Sequence, residues 1–313
     1  MKLTNKFQIN GEDIDVGSDW HFALTEPNVV ERIVKHVKDA QQSRVFFCLG
    51  DLFDTPEGQD STEALNATVT AFAALYDTVV FTPGNHDLRG RASPWDTLRF
   101  PENVVWPRGV EPVTTKIGKN NVVVANLFYD LRFIDPAVID ASDAIIRKFY
   151  ARSNDGRHFL GGDTEAFARM TDATARALGP DVDVLVTHAL PHPSLVTFRV
   201  PAVTAETARL QRELGIPFIC DPADDEKMAD EYRRRGARGP VTTTDVRAFW
   251  NNKSIVMGSN VLGHPQARFR DGLTCAHGHH HRIDLAPRTI AGKTVRIVTH
   301  QPNPWNAESG VTI

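Results

Sequence analysis

The chain has 313 residues, of which 41% are hydrophobic and 24% charged, and a formal net charge of −4. This is the composition of an ordinary globular domain protein, and its slight acidity argues against a protein built mainly to hold nucleic acid, which leaves a basic excess. No apolar run approaches the roughly 18 residues of a membrane helix.

The N-terminal stretch "MKLTNKFQINGEDIDVGS" has no apolar core of the kind a secretory signal needs. Cys48, Cys220 and Cys275 form neither a disulfide framework nor a C-x-x-C pair. The expectation is a cytoplasmic protein with reduced thiols.

Along the first hundred residues, strand and helix signals alternate. "EDIDVGSD", "SRVFFCLGD" and "TVVFTPGNHD" read as buried strands that end in polar residues. Between them, helices are predicted over about 28–42 and 61–76, with Asn28 and Ser61 as N-caps. The β-α-β-α-β order implies parallel strands with helices packed over the sheet. A β-rich stretch follows over about 103–129, with "KNN" as the turn between "PVTTKI" and "VVVANLF". Helices are predicted near 137–151 and 164–178, the second with Asp163 as its cap, and "VDVLVTH" is a further strand ending at His188. Residues 191–253 read as an insertion, helical near 205–214 and 224–235 and carrying the cluster Arg233–Arg238. That cluster follows an acidic stretch, so a solvated helix face competes with a phosphate-facing arm. Strands return at "SIVMGS", "LTCAH" and "KTVRIVTH".

In open α/β sheets the site lies beyond the carboxyl ends of the strands. Lining up those ends gives "SDWH" (Asp19, His21), "GDLFD" (Asp51, Asp54), "GNHD" (Asn85, His86, Asp87), "TH" (His188) and "GHHH" (His279, His281). An aspartate after a strand is by default a turn or cap residue, and a single histidine is more often a satisfied buried side chain than a ligand. Together, carboxylate, amide and imidazole donors at successive strand ends form a set suited to borderline divalent metals. In an extended backbone, residues i and i+2 point to one side, so His279 and His281 could face one site while His280 faces away.

In this order the signatures D-x-H, G-D-x-x-D, G-N-H-[DE], H and G-H-x-H resemble those of the calcineurin-like metallophosphoesterase superfamily, from about Asp13 to Thr299. The resemblance implies an α/β fold: a metallophosphoesterase-type β-sandwich core flanked by helices, with a partly helical insertion before the last metal-binding motif. One domain over 1–313 is expected, with 191–253 inserted in it as a lid. The resemblance also implies two divalent metal ions about 3.5–4 Å apart that share a bridging carboxylate and a bridging hydroxide. Asp51 would bridge, Asp19, His21 and His281 would complete one metal, and Asn85, His188 and His279 the other. Manganese is the first expectation, with iron, zinc or nickel as alternatives. His86 would face the substrate and protonate the leaving group, oriented by Asp54. Gly50, Gly84 and Gly278 precede ligands at places where a crowded site needs close backbone approach.

Departures from the superfamily's branches narrow the substrate. Thr55 stands where serine/threonine protein phosphatases carry arginine, Asp54 where purple acid phosphatases carry a tyrosine ligand, and His86 is present where lipid-A-type pyrophosphatases tend to replace it. What remains is a phosphodiesterase acting on a nucleotide or other small phosphoester, or a phosphomonoesterase. "GDLFDTP" is similar to a stretch of the exonuclease subunits of double-strand-break repair, but those carry a sizeable DNA-binding cap where only 32 residues follow His281 here. A DNA nuclease is therefore the second reading. A catalytically silent metal-binding scaffold is a third, although such relatives lose ligands that this chain keeps. The oligomeric state has no sequence signature. His192 and His264 are candidates to reach the substrate.

Overall fold

The computed structural model describes residues 4–55, 59–88, 95–130, 163–195, 199–201, 219–221, 258–279 and 285–299. In chain order these form β1 (Asn5–Ile9), β2 (Glu12–Gly17), β3 (Phe22–Ala23), α1 (Val29–Ala40), β4 (Val45–Cys48), β5 (Phe53–Asp54), α2 (Thr62–Leu75), β6 (Thr78–Phe81) and β7 (Val104–Val105). Then come β8 (Val113–Ile117), β9 (Asn120–Val124), α3 (Thr164–Ala177), β10 (Val184–Thr187), a single 3₁₀ turn (Pro193–Leu195), β11 (Arg199–Pro201) and β12 (Ile219–Asp221). The last elements are β13 (Leu273–His277), β14 (Arg288–Ile290) and β15 (Lys293–Val298).

Among the described residues two large sheets face each other, one in the order β1-β2-β4-β6-β7 and the other β14-β15-β13-β10-β9-β8. In the first sheet β2, β4, β6 and β7 run parallel, as the alternation of strand and helix signals requires. In the second, β9, β10, β13 and β15 run parallel between two antiparallel edge strands.

The core follows from the strand period of two. Ile14, Val16, Val45, Phe47, Leu49 and Val80 of the first sheet pack against Val122, Val124, Val184, Val186, Ala276 and Val298 of the second. The alternate residues Phe46, Cys48, Val79 and Phe81 point outward and meet Ile33 and Val37 of α1 and Leu65, Val69 and Phe72 of α2. Val123, Leu185, Leu273 and Cys275 do the same on the far side, where Ala175 of α3 and Leu178 just beyond it join them. Strands buried on both faces read as continuous apolar runs, which is why "RVFFC" and "DVLVT" carry no alternation. Phe47 is fully buried between the sheets, so Phe47→Ala would cost about 3–5 kcal/mol. The fold is the expected α/β sandwich with flanking helices.

Two predicted caps need correction, and one strand has no predicted counterpart. β1 was not foreseen: it pairs antiparallel with β2 from Asn5↔Val16 to Ile9↔Glu12. The turn is Asn10–Gly11, both at positive φ (48° and 86°), the asparagine-glycine hairpin signal. Asn28 precedes α1 in the left-handed region and its side chain caps nothing. Ser61 also makes no cap, because its hydroxyl donates to the carbonyl of Asp87; Asp60 Oδ1 instead accepts from Thr62 N at 2.7 Å. The Asp163 cap does form, accepting from Glu165 N at 3.1 Å and Ala166 N at 2.9 Å. The predicted helices near 137–151, 205–214 and 224–235, the cluster Arg233–Arg238 and most of 191–253 lie outside the described residues.

Candidate metal centre

The strand ends converge at one end of the sandwich. The segment after β2 is laid along the segment after β4 by backbone bonds: Asp19 N to Gly50 O (2.9 Å), Trp20 N to Asp51 O (2.8 Å) and Phe22 N to Leu52 O (3.0 Å). β3 and β5 continue this as a short parallel ladder. Trp20, Phe22, Leu52 and Phe53 are buried in the helix-side core, and the polar residues between them are thereby held at the site. Four polar residues at the strand ends take left-handed backbone conformations: Asp19 (φ 54°), His21 (48°), Asp51 (54°) and, after β13, His279 (66°). Non-glycine residues persist there only where the surroundings over-determine them.

Three glycines allow the chain to close up. A Cβ on Gly84 would lie 2.0 Å from Asp51 Oδ1, and one on Gly278 would lie 2.8 Å from Leu49 O and 3.0 Å from Asp19 Oδ2. Gly50 sits at φ 86° with its Cα side facing Gly84 N.

Asp51 is fully buried at the centre. Its Oδ1 accepts the backbone N–H of His86 at 2.9 Å. Among the described residues its Oδ2 makes no hydrogen bond but faces His188 Nε2 at 3.3 Å and His21 Nε2 at 3.7 Å. One ligand atom each from Asp51, His188 and His279 lies within 4.8 Å of the others, as does one each from Asp51, His21 and His86. Burial raises the Asp51 pKa, but the charges of His188, His86 and His21 outweigh it and hold the carboxyl well below its usual range. Conversely, burial works against a charged His188, yet the Asp51 carboxylate pushes it up to about 9.

His188 Nδ1 lies 2.6 Å from Leu49 O. A carbonyl only accepts, so Nδ1 donates, and the nitrogen available to a metal, once deprotonated, is Nε2. It faces Asn85 Oδ1 at 3.1 Å. The ring of His279 meets that of His188 at 5.1 Å, and the rings of His21 and His86 are 4.5 Å apart. Asp19 Oδ1 accepts His279 N at 2.7 Å, and Ser18 Oγ donates to Asp19 Oδ2. Thus Asp51, His21, Asn85, His188 and His279 come together, Asp19 abuts them through the backbone of His279, and His281 lies outside the described residues. His86 touches the centre while its Nδ1 lies 2.8 Å from Asp54 Oδ1. The Asp54 side chain is 51% exposed, against 10% for His86, so Asp54 stands at the rim.

Sequence reasoning gave Asp87 no role. Its carboxylate accepts the backbone N–H groups of Asp51 (2.8 Å), Gly84 (3.0 Å) and Phe53 (3.1 Å), which ties the two glycine-bearing loops together. Burial and the charge of Asp51 raise its pKa to about 7, against the pull of the backbone donors. Tyr129, whose ring lies 5.6 Å from that of His279, was also missed. The signal was available, since "NLFYD" follows β9 at the same end of its sheet. His264 pairs with Asp172 of α3 at 3.3 Å, and His192 Nδ1 is engaged by Ser194.

The sequence model of the calcineurin-like phosphoesterases matches residues 14–283. The chain belongs to that family and is a metal-dependent phosphoester hydrolase. A solved structure similar to it is the phosphopantetheinyl hydrolase of Mycobacterium tuberculosis, at 15% identity and a TM-score of 0.49, covering 94% of this chain and 91% of that one. No curated protein matches the sequence. Among the described residues, no helix is long and apolar enough to cross a membrane.

The donor set fits the divalent cations the family implies. A buried carboxylate oxygen that makes no hydrogen bond among the described residues and is faced by imidazoles on two sides is an acceptor that a divalent cation would satisfy.

Proposed function

We propose that this chain is a dinuclear phosphodiesterase acting on a nucleotide or another small phosphoester. Asp51 would be shared by both cations, Asp19, His21 and His281 would hold one, and Asn85, His188 and His279 the other. The observation that carries this reading is the position of Asp51 in two ligand groups at once. Mixed carboxylate, amide and imidazole donors suit manganese first, with iron, zinc or nickel as alternatives. When bound, such a cation pair supplies Lewis acidity toward phosphoryl oxygens and a nucleophilic water at neutral pH.

The chain's own residues then manage orientation and the leaving group. His86 gives its Nδ1–H to Asp54 Oδ1, so Nε2 carries a proton only in the imidazolium form, which the carboxylate stabilises. That proton passes to the departing oxygen as the phosphorus–oxygen bond breaks, which leaves His86 neutral. Because Asp54 is half exposed and His86 nearly buried, the dyad lies between the metal ligands and solvent, where a leaving group would depart. Residues 191–253 would serve as a lid inserted in a single domain spanning 1–313, and the cytoplasm is the proposed compartment.

The test is hydrolysis of a chromogenic phosphodiester and its monoester by metal-stripped protein with manganese restored. Manganese-dependent turnover that favours the diester supports the reading. A monoester preference replaces it with a phosphatase, and turnover only on single-stranded DNA replaces it with a nuclease.

A further inference from the structure

Gly278 and His279 share one peptide unit, and both of its polar atoms are held. The carbonyl of Gly278 lies 3.0 Å from His277 Nδ1; the carbonyl only accepts, so Nδ1 carries the hydrogen and donates. The N–H of His279 donates to Asp19 Oδ1 at 2.7 Å. Just upstream, Gly278 N donates to His188 O at 3.0 Å. The peptide plane clamped in this way sets the φ of His279, which is +66°, a conformation that a β-carbon disfavours. A slight rotation of the plane would swing the imidazole away from His188 and Tyr129, the rings it meets at 5.1 and 5.6 Å.

We propose that His277 is a positioning residue: its Nδ1–H fixes the Gly278–His279 peptide so that the His279 imidazole is aimed at the metal centre. This rests on the reading of His279 as a metal ligand.

Among the described residues the ring has no other hydrogen bond to account for it. His277 is 2% exposed, and its Nε2 has no hydrogen-bond partner. A buried acceptor left bare is destabilising, and a leucine of similar size would avoid that penalty. The imidazole is thus a poor choice for the fold and a suitable one for the clamp. Nothing places it among the ligands themselves, since the two ligand groups among the described residues do not include it. Its influence on the metal would run through the backbone, as outer hydrogen bonds to ligands do elsewhere.

The test uses the full chain, stripped by chelator, as wild type, His277→Leu, His277→Asn and His279→Ala. Manganese binding is followed by calorimetry, and the melting temperature is measured without metal. His277→Leu is expected to weaken one of the two manganese ions about tenfold or more, leave the other unchanged, and not lower the metal-free melting temperature. His277→Asn, whose amide N–H falls near the position of Nδ1–H, is expected to restore binding to within about threefold of wild type on the same scale. If His277→Leu binds both ions like wild type while His279→Ala loses one, the positioning role is overturned. If His279→Ala also binds both, the ligand reading of His279 fails instead. A fall in metal-free stability together with equal weakening of both ions would make His277 merely structural and would also overturn the proposal.

Discussion

His86 Nδ1 lies 2.8 Å from Asp54 Oδ1 while the backbone N–H of the same histidine donates to Asp51 Oδ1 at 2.9 Å. One residue is thus tied to the rim through its ring and to the centre through its main chain. The proposed proton donor is thereby held in register with the proposed bridging carboxylate.

Asp54→Asn keeps the contact but removes the charge that stabilises the imidazolium. Turnover of esters with alkoxide leaving groups is expected to fall about tenfold, and that of nitrophenyl esters to change little, because a good leaving group needs no proton. His86→Ala is expected to lose about a hundredfold or more on the poor leaving groups while both metals stay bound. Rates across a leaving-group series, with metal content measured in parallel, decide the matter. Loss of a metal in His86→Ala would instead make it a ligand of the His21 and Asp51 group.

How much of this was readable in the sequence depends on whether a residue's partners are local. The parallel core strands were legible because "RVFFC" and "DVLVT" are apolar on both faces and end in polar residues. Asp163 was legible as a cap because its acceptors lie two and three residues on. Ser61 was misread because its hydroxyl partner, the carbonyl of Asp87, is brought in by the fold from the next strand end. The role of Asp87 was hidden for the same reason, since Asp51 and Phe53 belong to another loop. The left-handed backbone at Asp19, His21, Asp51 and His279 is marked by no glycine, and although aspartate and histidine are enriched in that region, most of them lie elsewhere, so residue type alone does not reveal it. The β1 hairpin, by contrast, carries a local signal in its Asn10–Gly11 turn.

Asp87→Ala strips the acceptor from three backbone N–H groups in a buried region. Each unsatisfied donor costs about 1–3 kcal/mol where water does not replace the partner. A loss of about 3 kcal/mol or more is expected, with release of metal, since the Asp51 loop is then free to shift. Urea unfolding of the metal-free variant measures it. A loss below about 1 kcal/mol would mean that ordered water satisfies those groups.

Gly84→Ala places a methyl group where Asp51 Oδ1 lies, 2.0 Å from the new Cβ. Neither the carboxylate nor the loop can stay in place, so metal affinity is expected to fall by a hundredfold or more, beyond the roughly 10–100-fold typical of outer contacts. Circular dichroism should report a folded protein, because the sheets do not depend on this contact. Gly272→Ala, with φ +78° but nothing within 4 Å of its Cβ, serves as the comparison. It strains the backbone without touching the site, and its metal affinity should match wild type.

The contribution of His192 to the pH dependence has a defined sign. Burial lowers its pKa from 6.5 to about 4, and the Ser194 N–H and hydroxyl engage Nδ1. In the unfolded chain the ring takes a proton as the pH falls through about 6.5, whereas in the folded chain it resists until about 4. The folded state therefore loses stability as pH falls across that window and gains none above it. The ring is only part-buried, so the loss is discounted to about 2 kcal/mol from the full linkage value. Asp271, whose pKa is lowered by hydrogen bonds from Thr294, acts in the same direction only below the ordinary carboxylate range. Denaturant midpoints of wild type and His192→Asn, taken on metal-free protein between pH 4 and 7, separate the two. The wild-type curve should fall more steeply between 6.5 and 4, and parallel curves would show that His192 is not the group responsible.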